Sequence, residues 1–180
     1  MLEIEDWDKE RVYQVMLELL YSFNYMWFLM EDWIKQNCPE KADSEAFHQI
    51  SEDFGRYQAK RLEKTVEAPA GGPEAETDPG VDRLIQFLRH SHWFAFEDIA
   101  LSKVSDKELC MRTRNCTAQK AARKWGMECY DCSQGGHRLR QGFFAHINPT
   151  ARVTRVYTPP DERPADLPEE VSCEWRITID

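Results

Sequence analysis

The chain lacks an excess of positive charge. Its 23 lysines and arginines are outnumbered by 32 aspartates and glutamates, leaving a formal net charge of -9. Phosphate binding needs a cationic face, so a nucleic-acid partner is excluded as an expectation. One basic stretch remains, made of Arg112, Lys120, Arg123, Lys124, Arg138, Arg140 and Arg155. It is suited to draw an anionic ligand to an otherwise acidic protein. A long hydrophobic run is also missing. The most apolar segment, Met16 to Met30, is interrupted by Glu18 and Asn24. It falls short of the roughly 20 residues a membrane span needs. The start MLEIEDWDKE is acidic where a secretory signal is cationic. The expected setting is therefore cytoplasmic, with no membrane partner and with its six cysteines reduced. Cys129-Tyr130-Asp131-Cys132 has no second CxxC and no HxxxH at zinc-finger spacing. No βαβ pattern precedes it, as a thioredoxin-like pair requires.

What is present suffices for a core. Hydrophobic residues make up 42% and aromatics 12% of 180 residues, enough for one structural unit. Its two parts are an N-terminal helical region, 1–92, and a cysteine-bearing region, 93–180. Residues 6–36 read as one helix, because Val12, Met16, Leu19, Phe23, Trp27, Met30 and Ile34 recur every three or four positions. A second line through Tyr13, Leu17, Leu20 and Phe28 makes the helix apolar on two sides. Such a helix is buried in a core or against a second subunit, so a homodimer through it is a candidate assembly. Helices are expected again at 44–66 and 81–90. The acidic Pro/Gly stretch 68–80 between them reads as a mobile loop.

From Trp93 the period changes. Strands are expected at 94–103 and 108–116, helices at 117–125 and 133–147, and strands at 152–158 and 171–180. The last is the clearest. Val171, Cys173, Trp175, Ile177 and Ile179 alternate with polar residues, which gives one buried and one wet face. The fold class is thus α+β: long helices, then a four-stranded antiparallel sheet built as hairpin, two helices, hairpin, with the helices on one face.

Five cysteines lie in this second half. Cys116 stands where a strand feeds a helix and Cys132 just before the next helix. Helix N-termini favour thiolate over thiol. Cys173 points to the buried face beside Trp175. If the helices cover that face, Cys116, Cys132 and Cys173 converge, with His137 one turn into the helix. Two chemistries follow. The trio could hold a transition metal, zinc or iron, that activates water, or Cys132 with His137 could supply a catalytic thiolate. Plain packing of small buried thiols is the competing reading. Asn24, Trp27 and Arg155 are candidate ligand contacts. The aromatics Trp27, Phe28, Trp93, Phe94 and Trp175 suggest instead a module that binds a small molecule and does no chemistry. His90 and His92 read as solvated helix-end residues.

Several short motifs occur in order: Trp27-Phe28, Ala59-Lys60-Arg61, Asn115-Cys116-Thr117-Ala118-Gln119, Gly126 before Cys132, Gly142-Phe143, Asn148-Pro149, Pro159-Pro160-Asp161 and Cys173-Glu174-Trp175. Taken together over nearly the whole chain, they resemble small cytosolic proteins related to aminothiazoline-carboxylate hydrolases, similar in layout to vinyl-reductase-type ligand-binding domains. The resemblance implies shared cysteines at Cys116, Cys132 and Cys173. It also implies hydrolytic opening of a small sulfur–nitrogen heterocycle on the way to cysteine. Two positions depart from it. An acidic-Gly pair is replaced by Asn24-Tyr25, and a cysteine before Pro159 by Thr158.

Overall fold

A computed structural model describes residues 8–42, 44–66 and 80–180. The stretch expected to be a mobile loop lies, apart from Gly80, outside the described residues. The first helix, α1 (Lys9–Asn37), begins where the Asp8 side chain accepts a hydrogen bond from the Arg11 N–H at 2.7 Å. It stops at Cys38, the residue before Pro39. A single turn, α2 (Pro39–Ala42), leads to α3 (Glu45–Leu62), which Ser44 caps by accepting from Phe47 N–H. Then come α4 (Val81–Arg89) and a short α5 (His92–Phe96). The strand expected from residue 94 starts only at 99. Ser91 caps a helical turn here, its hydroxyl accepting from Phe94 N–H, and that local bond overrides the aromatic run's preference for strand.

The remaining elements follow the expected order. They are β1 (Ile99–Ser105), β2 (Glu108–Thr113), α6 (Thr117–Lys124), α7 (Gly135–Ile147), β3 (Arg152–Tyr157) and β4 (Cys173–Thr178). The sheet order is β1-β2-β4-β3, antiparallel throughout, so the two hairpins meet along β2 and β4. The protein is an α+β fold with a four-stranded antiparallel sheet. Among the described residues no helix is long and apolar enough to cross a membrane.

The alternation in β4 directs the core. Cys173, Trp175 and Ile177 turn to one face, where Leu109 and Met111 of β2 join them. Leu84 and Leu88 of α4 and Phe143 and Phe144 of α7 are buried in the same cluster. On the opposite face Glu174 takes an ion pair from Arg112 at 2.7 Å, which permits its burial. Outside α7 lies α3, and the two helices touch backbone to backbone. A Cβ on Gly55 would fall on the Leu139 carbonyl, and one on Gly142 on the Glu52 carbonyl. Glycine is what permits so close a crossing. A second, smaller cluster holds α1 against α6 through Phe28, Ala121 and Ala122.

Candidate functional site

Between α1, α3, α5, the start of α6 and α7 lies a cavity of about 240 Å³. A cavity of about 150 Å³ already admits benzene. Its apolar wall includes Trp27 and Phe28 of α1, Phe54 of α3 and Trp93 of α5. Space at the floor comes from the paired glycines that open α7. A Cβ on Gly136 would lie 3.1 Å from Cys132 Cβ and 3.5 Å from an Arg140 nitrogen.

The polar groups set this cavity apart. Among the described residues, six buried side-chain nitrogen or oxygen atoms have no hydrogen-bond partner. Four of them belong to cavity-lining residues: Asn24 Nδ2, Gln58 Oε1, Glu97 Oε2 and Arg140 Nε. A buried polar atom left unpaired costs about 1–3 kcal/mol. Two unpaired donors and two unpaired acceptors thus sit in the wall of one cavity, just beneath its surface.

Glu97 and Arg140 are held from behind. Glu97 is only 9% exposed. Its Oε1 accepts from the Thr117 N–H at 2.9 Å and the Thr117 hydroxyl at 2.7 Å, binding the first turn of α6. Cys116, the N-cap residue, makes no side-chain cap bond there, so Glu97 supplies one. Arg140, 6% exposed, lies against two indoles. Its guanidinium carbon is 4.5 Å from the Trp175 ring centre and 5.3 Å from that of Trp93. One terminal nitrogen donates to Gly136 O at 3.1 Å, while Nε is buried without a partner. On the α1 side, Trp27 Nε1 donates to Glu31 at 2.7 Å and to the Tyr130 hydroxyl at 3.0 Å. Tyr130 O–H donates to Glu31 at 2.7 Å. Gln119 clamps the Tyr130 backbone from both sides, at 2.8 and 3.0 Å.

Burial governs the protonation states. Desolvation, with the charge of Arg140 added, pushes His92 down to about 4, so its imidazole is neutral at pH 7. Desolvation raises Glu97 above the ordinary carboxyl value, and the two Thr117 bonds with Arg140 oppose that rise. The Cys116 thiol is driven well up by burial, then by Glu97 and by Cys132 and Cys173. Cys132 is pushed up to about 12, by burial first and then by Cys173. Helix N-termini were expected to favour thiolates at these positions. Desolvation and neighbouring acids outweigh that partial charge, and both thiols stay protonated.

The sequence candidates separate accordingly. Asn24, Trp27, Cys116 and Cys132 line the cavity. Cys173 lies outside the lining, where its sulfur accepts the Trp175 indole N–H at 3.2 Å. The His137 ring is bonded to Val153 O at 2.9 Å and stacks on Trp175, and it is not among the residues that line the cavity. Arg155 pairs with Asp161 at 3.4 Å, away from the cavity. The three thiols are electrostatic neighbours. Among the described residues, however, no three His, Cys, Asp or Glu side chains are placed to hold a metal ion, so the donor set does not fit the expected zinc or iron. His92, read as solvated, lines the cavity instead. Glu97, Gln58 and Arg140 were not singled out as site residues. Arg140 did carry a signal: it follows Gly136 by four residues and precedes Phe143, Phe144 and Ile147 at helical spacing, a cation on an apolar stripe.

Compared with known protein families, residues 17–179 match the model of DUF6125, a family of unknown function. That span contains every residue of the cavity lining. Neither the curated proteins nor the solved structures contain a match, and nothing in the family match links the chain to the hydrolase-like or vinyl-reductase-type proteins its motifs resemble.

Proposed function

The chain belongs to DUF6125, whose description assigns no activity, and from the cavity we propose that it binds a small, flat, hydrogen-bonding metabolite. The observation that carries this reading is the concentration of unpaired buried polar atoms in the wall of one cavity. The complementary ligand is heteroaromatic or amide-like, with an acceptor for Asn24 Nδ2 and Arg140 Nε and a donor for Gln58 Oε1. Its face packs on the Trp27, Phe28 and Trp93 side of the wall. Small heterocycles, including sulfur-containing ones, meet this description. A hydrolytic role is the second reading, favoured by Glu97: a raised carboxyl with one free oxygen at the cavity suits proton transfer. The protonated thiols, and the lack of a metal-holding set among the described residues, support binding as the first reading.

The test is a thermal-shift screen of small heterocyclic amides, carboxylates and thio-analogues, run on the wild type and on Asn24→Leu. At 100 times Kd a ligand adds about 2.7 kcal/mol, or roughly 5–10 °C for a chain of this size. Asn24→Leu removes an unpaired donor, so the ligand-free variant should be more stable by about 1–3 kcal/mol while its response to the stabilising compounds falls. A destabilised Asn24→Leu, or equal shifts in both proteins, would contradict the reading.

A further inference from the structure

Helix α1 presents two apolar faces with different spacing. One carries Leu20, Asn24, Trp27 and Phe28 to the cavity, and Phe23, at the boundary between the two faces, lines the cavity as well. The other repeats every seven residues: Met16, Phe23 and Met30 form one row, and Leu19, Met26 and Trp33, three positions on, form the next. All six are 37–65% exposed. A single chain seldom leaves so many large apolar side chains together in water. Alternating steps of three and four make the seam by which one helix packs on another of the same period. The patch also continues beyond α1. Phe23 meets Phe54 of α3 at 5.5 Å, and Ile50 and Tyr57, on either side of Phe54, are exposed.

We infer that this seam docks on the same seam of a second copy of the chain, with the two α1 helices antiparallel about a two-fold axis between Asn24 and Tyr25. That register sets Phe23 opposite Met26, Leu19 opposite Met30 and Met16 opposite Trp33, twice each by symmetry. Two of the three pairings give an aromatic ring a flexible methionine to pack on. A parallel pairing would instead set Trp33 on Trp33. No charged residue occupies the six positions, so closing the seam desolvates no ion. The area suffices. Roughly half of about 180 Å² for each of eight large side chains, Val15 and Leu29 included, gives about 700 Å² per chain. The pair then buries about 1,400 Å², within the range of specific interfaces. The net charge of -9 opposes an anionic lipid surface and a second copy alike, so it is the area and register of the seam that favour the second copy.

Sedimentation equilibrium of the full chain, from 1 to 200 µM on the order of ordinary practice for interfaces of this size, tests the inference. The wild type should sediment at twice its 21.2 kDa. The double variant Leu19→Glu/Met26→Glu should weaken association at least about 100-fold with unchanged circular dichroism. If that variant loses helicity, Met16→Lys/Trp33→Lys, at the two ends of the seam, takes its place. A wild-type monomer throughout the range overturns the inference. So does a dimer that persists in a folded seam variant, which would place the contact on another face. Flotation of the wild type with vesicles of one-third phosphatidylserine, made without the dimer forming, would assign the seam to lipid and overturn it as well.

Discussion

Replacing Glu97 with glutamine isolates one proton in the cavity. Two groups there respond to pH in opposite directions. Glu97 has its folded pKa raised, so its contribution to stability is complete below its model value of 4.5 and is lost as pH rises toward the folded value. His92 has its folded pKa depressed, from 6.5 to about 4. Its contribution is complete above 6.5 and is lost as pH falls through that window. Each slope reaches about 1.4 kcal/mol per pH unit. Above pH 4.5 the two slopes oppose each other in the wild type. Glu97→Gln keeps an acceptor for both Thr117 bonds and removes the titration. Its stability should therefore rise with pH relative to the wild type above pH 4.5, with a slope of at most about 1.4 kcal/mol per pH unit. Urea unfolding followed by tryptophan fluorescence at half-unit steps reads the difference directly. All other titrating groups are common to both proteins and drop out. A difference that stays flat with pH would refute the claim that burial raises the Glu97 carboxyl above its ordinary value.

Two further outcomes follow from the same structure. Gly55→Ala drives a methyl into the Leu139 carbonyl, so α3 and α7 must separate. The expected loss is about 3 kcal/mol in urea midpoint analysis, against less than about 0.5 kcal/mol for an exposed control such as Gln49→Ala. Alkylation at pH 8 followed by peptide mapping should modify the partly exposed Cys38 and Cys129 first. Cys132, with its thiol pushed up to about 12, should react about 1,000-fold more slowly than a free cysteine of pKa near 8.5. Equal labelling of Cys132 and Cys129 would show that the cavity is open to water.

The fold was largely legible because its strongest signals are periodic. Alternation in β4 and the three-to-four spacing of α1 are properties of neighbouring residues, and the structure places those elements where the patterns put them. The start of β1 was missed because one Ser91 hydroxyl stabilises a turn of helix across residues that favour strand. The site was less legible because its chemistry is set by distant residues. Cys116 looks activated when only its own helix is considered. The acid beside it, Glu97, is 19 positions away and reaches it through α6 packing. Gln58 and Asn24 belong to different helices and become one set only when α1 closes over α3. Their common feature, a buried atom without a partner, has no counterpart in composition or spacing.

The most direct test of the binding site is a crystal structure of the protein with the most stabilising compound from the heterocycle screen. Our account places that compound inside the cavity, against Trp27, with an acceptor atom about 3 Å from Arg140 Nε and a polar contact to Glu97 Oε2. A compound found instead in the outer groove beside Arg123 and Pro160, with the cavity atoms still unpaired, would contradict it.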